Sequence, residues 1–250
     1  MPVAIVTGAS RGLGRALAAG LADAGWHLVV DARGAEALSA ASDDLAGRTT
    51  VVALPGDVTD PAHRAELMAA AARLGGPDLL VNNAGILGPS PQPPLAEYPL
   101  DVLRDVFEVN VVAPLALIQL ALPGLRERAG AVINVTSDAA VEPYPGWGGY
   151  GSAKAALEQA SHVLAEEQPG VRVWWVDPGD MRTRMHQEAF PGEDISDRPS
   201  PASVVPALLR LIETRPQSGR VRAADLAAAT VPDADVGAAA VRDARDRASS

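Results

Sequence analysis

The 250-residue chain contains no cysteine. That excludes disulfides, thiolate zinc centres and cysteine nucleophiles together. The four histidines, His27, His63, His162 and His186, show no metal-ligand spacing such as His-x3-His, so no metal is expected. Lysine occurs once, at Lys154, although Lys and Arg together number 21. A single amine in so arginine-biased a chain is a candidate for chemistry that needs an amine. Positive charge is in deficit: 21 basic residues against 31 acidic ones give a formal net charge of −10. A field of that sign repels nucleic acid and anionic membrane, so neither is expected as a partner. The longest apolar stretch, residues 109–122, is interrupted by Asn110, Pro114 and Gln119 and reads as too short and too broken to span a bilayer. No basic segment precedes the strand-like residues 2–6, so we expect no signal peptide and a cytoplasmic protein.

What is present is core material in an alternating pattern. Hydrophobic residues make up 48% of the chain and charged residues 21%, which supports a sizeable core. Near-continuous Val, Leu and Ile runs predict strands at 2–7, 27–31, 50–54, 78–82, 131–136 and 171–176. Amphipathic stretches predict helices at 12–24, 35–46, 61–74, 101–125, 149–167 and 201–214. This β-α alternation predicts an α/β fold: a Rossmann-like, doubly wound parallel sheet in three layers, with right-handed crossovers. The expected core is Val3, Ile5, Leu28, Val30, Val52, Leu79, Val81, Ile133, Val135 and Val173. Residues 1–226 read as a single domain and residues 227–250 as a tail, either a loose helix or disordered. Two segments break the rhythm. Residues 87–99 read as a proline-rich surface loop. Residues 182–201 lack periodicity and read as a closing lid.

The first strand runs into Thr7-Gly8-Ala9-Ser10-Arg11-Gly12-Leu13-Gly14. Such glycines let backbone approach a pyrophosphate, and a helix starting near Gly12 points free N–H groups at it. The turn alone fits tight packing as well as phosphate. The motif resembles that of the short-chain dehydrogenase/reductase family, in its compact single-domain branch. Other family motifs follow in order: Asp57-Val58, Asn82-Asn83-Ala84-Gly85, Asn110, Ser137, Tyr150 with Lys154, and Pro178-Gly179 with Thr183. The resemblance spans about residues 2–225. It implies an oxidoreductase with Asn110, Ser137, Tyr150 and Lys154 as catalytic residues. It also implies a dinucleotide held by Gly8, Ser10, Arg11, Gly12, Leu13, Gly14, Ala32, Arg33, Asp57, Val58, Asn83, Ala84, Gly85, Tyr150, Lys154, Pro178, Gly179, Met181 and Thr183.

The chemistry can be read from the residues themselves. Tyr150 and Lys154 share one helix face. A phenol has an ordinary pKa of about 10, and a nearby ammonium favours its ionised form. Ser137, at a strand end, can hydrogen-bond a carbonyl oxygen as it gains charge. By resemblance, Asn110 holds a water that links Lys154 to solvent. A serine hydrolase is excluded because Ser137 has no Gly-x-Ser-x-Gly elbow. The rival reading is a non-catalytic dinucleotide-binding regulator on the same fold. An epimerase or dehydratase of the longer branch fits poorly, because its glycine spacing and C-terminal substrate domain are missing. Asp31 argues for NAD. Counting from Gly14, however, the family's discriminating acidic position falls on Ala32. Asp31 would then face away from the ribose, with Arg11 and Arg33 free to pair a 2′-phosphate. NADP(H) is therefore expected, with NAD the alternative. Leu87, Tyr144, Trp147, Met181, Met185 and Phe190 are the candidate pocket, and their character points to a small apolar ketone, aldehyde or secondary alcohol. Residues 218–226 lack the family's Gly-rich ending, which argues against a tetramer and leaves a homodimer through the helices at 101–125 and 149–167.

Overall fold

The computed structural model describes residues 1–228. Seven strands form one parallel sheet: β1 (Val3–Val6), β2 (His27–Ala32), β3 (Val51–Pro55), β4 (Leu79–Asn82), β5 (Ala131–Val135), β6 (Arg172–Asp177) and β7 (Gly219–Arg222). Their order across the sheet is β3-β2-β1-β4-β5-β6-β7. The order reverses between β1 and β4, and both strands end on the same side. In an open α/β sheet, ligands bind at that point.

Side chains of a strand alternate between faces, and the alternation builds two cores. Ala4, Val6, Leu28, Val30, Leu79, Val81, Ile133 and Trp174 face one way. They pack against α1 (Gly12–Asp23), α2 (Ala35–Ala46) and α8 (Val205–Thr214). Val3, Ile5, Val29, Leu80, Val132 and Val173 face the other way. Their partners come from α3 (Pro61–Arg73), α5 (Ala113–Glu127) and α6 (Gly148–Glu167). The result is a Rossmann-like three-layer fold. Of the ten residues expected in the core, Val52 and Val135 are only partly buried. Val52 lies on the outermost strand β3, and Val135 borders the cleft above the sheet.

Three features depart from the sequence reading. The helix expected over 101–125 is continuous from Leu100 to Glu127 but is built in three parts. They are α4 (Leu100–Phe107), a wide π turn at Glu108–Val112, and α5. At 28 residues with a mean hydropathy of 1.7 over its most apolar stretch, this helix is long and apolar enough to cross a membrane, unlike the broken run read from residues 109–122. Its composition has a plainer origin. Val106, Asn110, Ala113, Leu117, Ala121 and Leu125 form a buried inner face. The second departure is α7 (Arg184–Ala189), a helical turn and a half inside the non-periodic segment 182–201. Thr183 caps it by accepting a hydrogen bond from the His186 N–H at 3.2 Å. The third is β7, four residues long, which pairs with β6 through Trp174 opposite Gly219. Its sequence, Gly-Arg-Val-Arg, carries too few apolar residues to announce a strand. A short helix α9 (Ala223–Ala228) follows, and the tail from residue 229 lies outside the described residues.

Candidate active site

The glycine turn after β1 needs backbone that only glycine adopts easily. Gly8 and Gly12 have φ of +67° and +56°. A Cβ on Gly14 would stand 2.5 Å from the Gly8 carbonyl oxygen, so the turn packs on itself too tightly for a side chain. Residues from the ends of β1, β2 and β4 tie the turn down. Thr7 Oγ1 accepts from the N–H groups of Asn83 and Ala84, each at 3.0 Å. Asn83 Nδ2 donates to the carbonyls of Thr7 at 2.8 Å and Gly8 at 3.2 Å. Gly8 N–H donates to Asp31 Oδ1 at 2.8 Å. The N-cap of α1, Arg11, makes no side-chain capping bond, which leaves the first-turn amides facing the cleft without that partner.

The Asp31 carboxylate therefore turns inward. Its second oxygen lies 3.1 Å from His63 Nε2, and both residues are buried. His63 is thus the buried partner of this acid. The hydrogen bond to Asp31 raises its pKa above the usual histidine value despite the opposing cost of burial. Ala32 stands next on the cleft wall, with Arg33 and Arg11 both exposed beside it. Asp57 accepts from the Thr59 N–H at 2.9 Å and hydroxyl at 2.8 Å. Burial works against its ionisation, but these bonds and the charge of Arg33 outweigh it, and its pKa falls below the usual carboxylate value.

The second half of the site lies across the sheet. Tyr150 and Lys154 are buried on the inner face of α6, and Ser137 follows β5. Lys154 Nζ sits 5.5 Å from the Tyr150 ring centroid and donates to the Val135 carbonyl at 2.8 Å. Burial lowers the Lys154 pKa to about 8. Burial also pushes the Tyr150 phenol well above its usual value, and the charges of Asp138 and Asp177 push it further. These effects favour the protonated phenol. Asn110 lies in the π turn. Its Oδ1 accepts from the Ile86 N–H at 2.9 Å and its Nδ2 donates to the Ile86 carbonyl at 2.8 Å. A Cβ on Gly85 would stand 3.1 Å from Asn110 Oδ1 and 3.8 Å from Lys154 Nζ, so both side chains converge on Gly85.

One cleft of about 1400 Å³ joins these parts. Of the expected site residues, all reach its wall except Asn110 and Gly14, which stand behind it and support Ile86 and Gly8. Leu87, Trp147, Met181 and Met185 also line it. Tyr144 and Phe190 do not. They pack against Trp147, with ring centroids 6.5 and 5.8 Å away. His186 lines the cleft with its Nδ1 3.6 Å from Asp180.

The sequence did not signal a partly buried ion cluster directly behind Ser137. Arg220, from β7, approaches Glu158 at 3.1 Å and Asp177 at 3.3 Å. Its Nη2 also donates to the Ser137 carbonyl at 3.3 Å. Thr136 Oγ1 donates to Glu158 at 2.8 Å. Glu158 stands one helical turn beyond Lys154, a spacing that was available as a signal; Arg220 had none.

A glycine turn and a buried Tyr-Lys pair at one sheet end define a nucleotide-binding α/β oxidoreductase. The family profile described as short chain dehydrogenase matches residues 2–194, and the chain belongs to that family. It is 36% identical over 192 residues to the rhamnolipids biosynthesis 3-oxoacyl-[acyl-carrier-protein] reductase of Pseudomonas aeruginosa, covering 73% of this chain and 74% of the relative. It is 34% identical over 201 residues to sepiapterin reductase of Rattus norvegicus, covering 75% and 77%. An alcohol dehydrogenase from Thermococcus sibiricus, complexed with 5-hydroxy-NADP, superposes with a TM-score of 0.78 at 29% identity, covering 89% of this chain and 94% of that one.

Proposed function

We propose that the chain is an NADP(H)-dependent oxidoreductase acting on the carbonyl or secondary alcohol of a small, largely apolar substrate. The observation that carries this reading is the convergence of Ser137, Tyr150 and Lys154 on the wall of the cleft that also holds the glycine turn. The cradle suits a dinucleotide. Gly8, Ser10, Gly12 and Leu13 border the space for a pyrophosphate, and uncapped α1 amides face it. Ala32 leaves room at the ribose, Arg11 and Arg33 are placed to pair a 2′-phosphate, and Asp57 and Val58 border the adenine position. Asn83 to Gly85, Pro178, Gly179, Met181 and Thr183 line the remainder. The cofactor, when bound, supplies the hydride exchange.

The chain's own residues do the rest. Ser137 donates a hydrogen bond to the substrate oxygen, and Tyr150 exchanges a proton with that oxygen. Lys154 holds positive charge beside the phenol, and Asn110 holds the backbone against which Lys154 sits. The protonated phenol is the form that donates in carbonyl reduction, and the phenolate the form that accepts in alcohol oxidation. Residues 1–226 form one cofactor-binding and catalytic unit in this proposal. It works as a cytoplasmic homodimer with a small molecule, rather than nucleic acid or membrane, as its partner.

The test is kcat/KM for NADPH and NADH on the parent and on Arg11→Ala with Arg33→Ala. The parent is expected to favour NADPH by at least about tenfold, roughly 1.4 kcal/mol, and the double variant to lose most of that preference. A parent that prefers NADH would return the ribose to Asp31. Tight NADPH binding with no turnover on any carbonyl would leave a dinucleotide-binding regulator.

A further inference from the structure

The Ser137 hydroxyl has one hydrogen, and it is already committed. Ser137 Oγ donates to Asp138 Oδ1 at 2.9 Å and accepts from the Ala139 N–H at 3.2 Å. Asp138 Oδ2 accepts from the Tyr144 hydroxyl at 3.1 Å, which holds the carboxylate in place from its far side. Asp138 is exposed and lines the cleft beside Ser137, Trp147 and Tyr150. Among the described residues, no Lys, Arg or His comes within ion-pairing distance of it. The neighbouring acids of this wall are paired: Asp180 with His186 and Arg198, and Glu188 with Arg184. Asp138 is therefore a cleft carboxylate beside Ser137 and Tyr150 with no basic partner among the described residues.

A carbonyl that takes the Ser137 hydrogen leaves Asp138 Oδ1 with one remaining donor, the Ala139 N–H at 2.8 Å. The carboxylate keeps the Ala139 and Tyr144 bonds but loses one of its three donors in a cleft closed by substrate, so a substrate that supplies a replacement donor binds better than one that does not. The replacement must sit near the carbonyl, because Oδ1 and Ser137 Oγ are adjacent. An ammonium group meets both needs: it donates, and it neutralises the charge. Trp147, whose ring centroid lies 5.9 Å from that of Tyr150, offers an aromatic surface for the body of such a molecule. A carboxylate in the same place would meet like charge.

We propose that the substrate is an amino ketone, or the corresponding amino alcohol, whose ammonium group lies one or two carbons from the reacting carbon and is recognised by Asp138. The inference rests on the oxidoreductase reading above and narrows its substrate. The experiment compares NADPH oxidation at pH 7 with propiophenone, its 3-dimethylamino derivative and its 3-carboxy derivative, on the parent and on Asp138→Asn. We expect kcat/KM on the parent to favour the ammonium ketone over the neutral one by at least about tenfold, with the carboxylate slowest. In Asp138→Asn the ratio of ammonium to neutral ketone should fall toward one. This ratio cancels any loss common to both substrates. The order on the parent alone decides the matter should the variant not fold. Turnover of the neutral ketone as fast as the ammonium ketone, or an unchanged ratio in the variant, overturns this inference and leaves the oxidoreductase reading standing. If no member of this set or of a wider carbonyl panel oxidises NADPH, the oxidoreductase reading falls and takes the inference with it.

Discussion

Tyr150 owes its place to aromatic packing: its ring meets Trp147 at a 72° interplanar angle, and the side chain is buried beside Lys154. Replacing it with phenylalanine removes only the phenol oxygen. Tyr150→Phe is expected to abolish turnover while NADPH still binds, as read by fluorescence titration. Retained activity within about tenfold, a barrier change of only about 1.4 kcal/mol, would remove Tyr150 from its role. A second residue-scale consequence concerns His63. Its folded pKa is raised by Asp31, so protonated His63 stabilises the fold. That contribution is fully present below the unfolded value of about 6.5 and is lost as pH rises through the raised folded value. Melting curves of the parent and of His63→Gln should therefore differ more at pH 6 than at pH 9. A constant difference across that range would show that the pair is not a titrating one.

At the scale of elements, β7 matters more than its four residues imply. Arg220 neutralises Asp177 and Glu158 behind the catalytic strand end. Removing Arg220 from this partly buried cluster leaves Glu158 and Asp177 without their cation and is expected to destabilise the fold. It also adds negative potential near the phenol, since Asp177 already raises the Tyr150 pKa. For Arg220→Met the sign follows: the phenolate is harder to form. The rising limb of the pH–rate profile for alcohol oxidation should move to higher pH. Mere loosening of β7 would lower the rate at every pH and leave the midpoint unchanged. The long helix shows the same dependence of site on element. Its π turn at Glu108–Val112 brings Asn110 under Ile86, a placement that regular α-helical spacing does not provide. The sequence marked Asn110 as a site residue but read the helix through it as regular.

For the whole molecule, an apolar patch stays exposed on the outer face of Leu100–Glu127, and on α6 Val163 is exposed among polar residues. Val112, Leu115 and Leu120 are 39–47% exposed, and Val163 of α6 is 45% exposed. A homodimer that buries these faces is the proposal they support. Light scattering should give twice the chain mass for the parent and the single-chain mass for Leu120→Asp with Val163→Asp. A single-chain parent at micromolar concentration would remove the dimer.

The parts that rest on short-range geometry can be read from residue order alone. Apolar runs separated by amphipathic stretches set six of the seven strands and the three-layer order. The Gly8 to Gly14 turn and the four-residue step from Tyr150 to Lys154 are local patterns, legible because turn and helix geometry repeat wherever they occur. Which groups meet across the sheet is set by the assembled fold. It turned Asp31 onto Gly8 and His63, 23 and 32 residues away. It brought Arg220 to the Ser137 carbonyl across 83 residues. It also left Asp138 in the cleft wall with no basic partner among the described residues. Those contacts depend on strand order and register. Periodicity specifies neither, because a strand of given pattern packs equally well beside several neighbours until the whole sheet selects one.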